Sequence, residues 1–198
     1  MKARDNPFAP SRLEKVLAFD PLLIGTTWET LETRWRELGH RAAVTGHHGS
    51  GKSALLAAWS LRLARRGEEV VALFYNKERD RISPLDRHLL ANCEGKQVLI
   101  DGEVHLPWRE RVLLRKLLAP AAGVLVTRHR SGSWRELVRL QSSPRLAAAL
   151  LERVLPGCRP LGLADLSRNL RRHRGNLREL WLSFYDDLAR ENGHIGNI

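Results

Sequence analysis

The sequence predicts an α/β protein: a parallel sheet of about five strands sandwiched by helices, followed by a small α-helical lid at the C-terminal end. Short apolar runs alternate with amphipathic segments from residue 42 to about 127, which is the rhythm of βαβ units. The run Val98-Leu99-Ile100 is apolar at consecutive positions, as a strand buried on both faces must be. Beyond Thr127 the pattern turns helical. A chain of 198 residues with 43% hydrophobic content can bury one ordinary core and carry a small appendage.

Residues 1–25 read as an irregular arm broken by Pro7, Pro10, Pro21 and Gly25, with a short helical turn around Leu13 to Phe19. Thr26 and Glu29 have capping-box spacing and open a helix that puts Trp28, Leu31, Trp35 and Leu38 on one side and ends at Gly39. Ala42 to Thr45 is the first strand. The helix after it runs from Lys52 to about Arg66, where Arg62, Arg65 and Arg66 suit the negative end of the helix dipole. Val70 to Tyr75 is a second strand, and Ser83-Pro84 starts a helix through about Asn92. Gln97 to Asp101 is a third strand, Pro107 begins a helix to Leu118, and Gly123 to Thr127 is a fourth strand. Ser133 and Glu136 again have capping-box spacing, which predicts a helix there, and Ser143-Pro144 opens another through Val154. Cys158 to Leu161 is a candidate fifth strand. Two helices close the chain, about Ala164 to His173 and Leu177 to Glu191, with Asn176 as the cap between them. The expected divisions are an arm (1–25), a core (26–161) and a helical lid (162–198).

One loop carries the chemistry. Gly46, His47, His48, Gly49, Ser50, Gly51, Lys52 and Ser53 complete the pattern G-x-x-x-x-G-K-[ST] between a strand and a helix. A backbone that wraps a phosphate must turn several N–H groups inward, and glycines permit the angles and the close approach. In such a loop the lysine reaches the β/γ-phosphates and the hydroxyl of Ser53 ligates Mg²⁺. The expected ligand is therefore a nucleoside triphosphate with Mg²⁺. ATP is preferred because no guanine-reading N-K-x-D motif occurs. His47 and His48 stand where only backbone is required and are expected to face solvent.

Asp101, at the end of the third strand, is expected to hold the metal beside Ser53. Hydrolysis also needs a group that orients or deprotonates water. Glu103 is the nearest candidate for that base, swinging in through Gly102; the alternative is a surface residue. Thr127 is either a sensor that touches the water or phosphate, or a strand-terminal threonine that satisfies backbone. Arg128 and Arg130 either act on phosphate or are solvated.

Taken with Gly175-Asn176-Leu177-Arg178-Glu179-Leu180, the loop, Val98 to Asp101 and Thr127 resemble the AAA+ superfamily and its relatives, among them origin-recognition, STAND, ExeA-like and transposition-helper ATPases. The resemblance spans residues 26–191. It implies a P-loop NTPase fold, ATP hydrolysis, a lid that closes over the nucleotide, and contact of Arg178 with the γ-phosphate. Asn6-Pro7-Phe8 and the loop are also similar to uncharacterised bacterial P-loop proteins, which supply no function. The chain departs from the family pattern in placing Gly102, not Glu, directly after Asp101, in offering no assignable arginine finger and in having a short lid. A small-molecule or nucleotide kinase and a non-hydrolysing nucleotide-binding scaffold are the alternative functions.

Charge points to partners. The net charge is +11, and the residues beyond 103 carry most of it, with 27 of the 33 cations being arginine. Such a field fits DNA or another polyanion, or an acidic protein surface; genome composition is the other source of arginine enrichment. Protein partners or self-association also fit. No run approaches the ~20 apolar residues of a membrane span, and without a secretory leader pattern the expected location is cytoplasmic. Cys93 and Cys158 form no metal-binding or disulfide pattern and are expected to be reduced, partly buried thiols.

Overall fold

Consecutive apolar residues with no polar face can be satisfied only in the middle of a sheet covered on both sides, and this is where the chain puts them. A computed structural model describes residues 6–9, 13, 16–157 and 161–193. Five strands form one all-parallel sheet: β1 (Arg41–Gly46), β2 (Val70–Phe74), β3 (Gln97–Asp101), β4 (Gly123–Arg128) and β5 (Glu136–Leu140). Their order across the sheet is β2-β3-β4-β1-β5. The three central strands bury Ala42 to Val44, Val98 to Ile100 and Val124 to Val126 almost completely. Each such side chain contributes about 1.5–3 kcal/mol relative to an exposed one, less for alanine.

The chain divides into two compact units. One comprises Gly25–Gly46 with Lys52–Leu140, and the other Met1–Ile24, His47–Gly51 and Gln141–Ile198. The first holds the sheet and four helices: α1 (Trp28–Glu37), α2 (Lys52–Arg65), α3 (Pro84–Ala91) and α4 (Trp108–Leu117). Leu90 of α3 and Leu114 of α4 pack with Val98, Ile100, Val124 and Val126 in one core. The alternate residues Leu99 and Leu125 turn to the opposite face, and α2 packs on β1 to β4. Ser83 caps α3 with a full capping box to Asp86. The cap of α1 is Thr27, one residue later than its Thr26 spacing predicts: its side chain accepts from the Thr30 N–H.

The second unit is helical, with α5 (Pro144–Val154), α6 (Leu163–Arg172) and α7 (Leu177–Gly193). Its core gathers Leu146, Leu151, Leu166, Leu170, Leu180 and Trp181 around Phe8. Asn6 and Phe8 anchor the N-terminal arm there. The Asn6 side chain donates to the Tyr185 carbonyl at 3.0 Å, and Phe8 stacks on Trp181 with ring centroids 6.1 Å apart. This unit takes in Gln141 onward and the arm, a wider stretch than 162–198.

The segment after Ser133 departs from expectation. Glu136–Leu140 is the edge strand β5, not a helix, and pairs with β1 from Ala43 to Gly46. Leu137 and Leu140 are buried while Arg139 is exposed, and Thr45 donates to the Glu136 carboxylate at 2.5 Å. The backbone of β1 needs partners on that side, and pairing with it outweighs a local capping signal. The strand expected at Cys158–Leu161, and the thiol of Cys158, lie outside the described residues apart from Leu161 itself. Cys93 is a buried free thiol, and burial pushes its pKa up.

Candidate functional site

In an all-parallel sheet the C-terminal ends of the strands share one edge, where open α/β sheets form their sites. Gly46, Asp101, Thr127 and Arg128 end β1, β3 and β4 at that edge. Thr127 pairs with Val44 of β1, while Ile100 pairs with Val126 of β4, which brings Asp101 beside Thr127. The Asp101 carboxylate accepts on both oxygens: Ser53 Oγ donates to Oδ2 at 2.5 Å, and Thr127 Oγ1 donates to Oδ1 at 2.5 Å. Thr127 Oγ1 in turn accepts from the Gly102 N–H at 2.9 Å. Thr127 thus bonds a side chain and a backbone group at once.

Lys52, the first residue of α2, is buried, and its Nζ donates to the Gly46 carbonyl at 2.9 Å. Its pKa lies below the ordinary lysine value because burial disfavours the ammonium, an effect that the charge of Asp101 partly offsets. The ammonium therefore closes the loop on its own first carbonyl while remaining in the field of Asp101. Ser53 and Asp101 present adjacent hard oxygen donors, the donor type that Mg²⁺ takes from a protein when most of its ligands come from water and phosphate. Among the described residues no group of three or more His, Cys, Asp or Glu side chains could hold a metal ion.

The tip of the loop belongs to the helical unit. His47 and His48 are exposed, in line with expectation, and Ser50 N–H donates to the His47 carbonyl at 3.4 Å. The Ser50 hydroxyl is buried without a hydrogen-bond partner. Gly49 has φ +68, and a Cβ there would stand 1.7 Å from Asn176 Oδ1 and 3.2 Å from the Arg178 nitrogen. Only glycine lets the loop tip meet the start of α7 this closely. Asn176 caps that helix, accepting from the N–H groups of Arg178 at 3.0 Å and Glu179 at 3.3 Å. The backbone of Arg178 is therefore set beside the loop tip, with its side chain exposed.

Glu103 is not a surface residue. Its side chain is 1% exposed, within the 3-10 turn Glu103–His105 that follows Gly102. Neither carboxylate oxygen has a hydrogen-bond partner, and Arg128 Nη1 lies 3.9 Å from Oε2. Arg128, 16% exposed, also donates to Ser133 Oγ at 3.3 Å, so it is not the solvated arginine that its place after a strand allowed. Two features were missed by sequence reasoning: the Glu103–Arg128 pair and the seat of Gly49 on Asn176. The first joins residues 25 positions apart and left no local signal. The second was signalled by a glycine at a position of the loop pattern where any residue is allowed.

At the opposite edge, a cavity of about 240 Å³ is lined by Trp35, His40, Trp59, Arg62, Arg66 and Gln97, among others. Arg62 and Arg66 are both paired to Glu32 there, while the buried Trp59 Nε1 and Gln97 Oε1 have no hydrogen-bond partner.

No protein-family model matches the chain, and no curated protein matches it.

Proposed function

We propose that the chain is an ATP-binding, ATP-hydrolysing P-loop protein of the AAA-like type, which acts as a nucleotide-dependent switch or accessory ATPase on nucleic acid or a protein partner. The observation that carries this reading is the strand order β2-β3-β4-β1-β5. It inserts β4, with Thr127 at its end, between the strand that feeds the glycine-rich loop and the strand that ends in Asp101. The kinase alternative needs those two strands side by side, so the order counts against it. In this reading the loop's backbone N–H groups and Lys52 bind the phosphates, Ser53 and Asp101 hold Mg²⁺, and the metal supplies charge stabilisation to the transferring phosphoryl group. Water forms a bond to the γ-phosphorus, the bridging bond to ADP breaks, and the proton of the water passes to a carboxylate, for which Glu103 is the candidate. The unpartnered Ser50 hydroxyl and the seat of Gly49 on α7 support a loop built to receive a ligand and to communicate its presence to Arg178.

Calorimetric titration with Mg·ATP tests the reading. Wild-type protein is expected to bind, and Lys52→Ala to weaken binding about tenfold or more through loss of a charged contact. Equal affinity in the two proteins, or no binding by wild type, refutes it. Phosphate release measured with and without DNA then separates the ATPase from the non-hydrolysing scaffold: tight binding with no Lys52-dependent release leaves the scaffold standing.

A further inference from the structure

A general base must reach the proton it takes, directly or through one water. Glu103 cannot do so as it stands, because both of its oxygens are sealed from solvent and neither accepts a hydrogen bond. Its backbone is pinned as well: the His105 N–H donates to the Gly102 carbonyl at 2.9 Å, and the Leu106 N–H to the Glu103 carbonyl at 3.1 Å. Gly102 takes φ +82 with no room for a Cβ, which would lie 2.1 Å from the Tyr75 carbonyl oxygen. Movement of the carboxylate is therefore left to the side chain. The cation against it is Arg128, and Arg128 is itself enclosed. A Cβ on Gly132 would lie 3.1 Å from the guanidinium carbon, and Ser133 accepts one of its N–H groups.

We propose that Arg128 is a positioning residue that holds Glu103 in a stored, inactive arrangement, and that hydrolysis requires the carboxylate to leave it. The inference rests on the ATPase reading above. At 3.9 Å the pair attracts without a direct hydrogen bond, and a buried carboxylate lacking hydrogen bonds is costly. The stored state is thus held but not locked, and a water that donates hydrogen bonds can draw the carboxylate out. The same geometry gives Arg128 a task different from contacting phosphate. Its guanidinium faces Glu103 and donates to Ser133 in the loop between β4 and β5, while its buried Nε has no partner.

The test is steady-state ATP turnover and, separately, ATP affinity for wild type, Arg128→Ala, Arg128→Lys, Glu103→Gln and the double variant Arg128→Ala/Glu103→Gln. Release of the stored base is expected to raise kcat about threefold or more in Arg128→Ala, with KM and ATP affinity unchanged. Arg128→Lys, which keeps the charge, should return kcat toward wild type, and the double variant should fall to the level of Glu103→Gln alone. A folded Arg128→Ala protein whose kcat is unchanged or lower overturns the proposal, as does a gain in turnover that survives Glu103→Gln. Removing one member of a buried pair can unfold a protein. If Arg128→Ala does not fold, Gly132→Ala, which crowds the guanidinium, carries the test: raised kcat supports storage, and unchanged or lowered kcat overturns it. Failure of wild type to bind ATP sinks the ATPase reading, whereas binding with no kcat response to these variants sinks the stored base alone.

Discussion

Gly102 separates Asp101 from Glu103 and decides what each can do. Its left-handed backbone turns the chain out of β3 while its N–H reports to Thr127, so the aspartate stays at the strand end and the glutamate is folded under it. Alanine here meets both a strained φ and a backbone oxygen. Gly102→Ala is expected to lose about 2–4 kcal/mol in denaturant unfolding. Gly95→Ala isolates the strain, because Gly95 has φ +70 with open space around it, and its loss should stay near 1 kcal/mol. Equal losses at the two positions would mean that the contact with Tyr75 contributes nothing. The places of Lys52 and Ser53 at the start of α2 and of Asp101 at the end of β3 were legible because they depend on spacing along the chain. The burial of Glu103 was illegible because it depends on where β4 brings Arg128.

Among the elements, the four strands from Ala42 to Thr127 and the helices between them were legible because each carries its own periodicity. β5 was not. Ser133 and Glu136 imitate a helix start, yet Ser133 accepts from Arg128 and Glu136 accepts from Thr45, so both polar groups are used by tertiary partners and the segment pairs with β1. The packing of α1 on α2 makes a further prediction. Glu32 of α1 accepts from Arg62 of α2 at 2.8 Å and from Arg66, just past the end of α2, at 2.6 Å. Burial works against its charge, but the two guanidiniums outweigh it and hold its pKa below the ordinary glutamate value. A depressed carboxylate pKa contributes stability above the unfolded value, near 4.3, that is lost as pH falls through the folded one. Wild type is expected to melt about 2–4 °C above Glu32→Gln at neutral pH, for a pair worth about 1 kcal/mol. The gap should narrow as pH drops below about 4. A gap independent of pH would assign the effect to packing.

Across the whole molecule, charge is the property that points outward. α6, the turn after it and the start of α7 expose Arg168, Arg171, Arg172, Arg174 and Arg178, with Arg168 paired to Asp165 and Arg171 bonded to Ser167. If this face meets nucleic acid, affinity for a short random DNA duplex should fall as salt rises, with a slope near −0.9 per phosphate neutralised. Replacing Arg168, Arg171 and Arg172 with alanine should flatten that slope by about 2–3. No binding at low salt removes DNA as the polyanion. No helix among the described residues is long and apolar enough to cross a membrane.

By itself the sequence determined what short-range physics controls: the apolar strands, the helix caps at Ser83 and Ser143, and a glycine-rich loop with Lys52 and Ser53 at its end. Tertiary structure alone decided the order of the strands, the edge position of β5, the docking of Phe8 on Trp181, the seat of Gly49 on Asn176 and the burial of Glu103 against Arg128. Those outcomes turn on which distant backbone and side-chain groups compete for the same partner, and spacing along the chain carries no record of that competition.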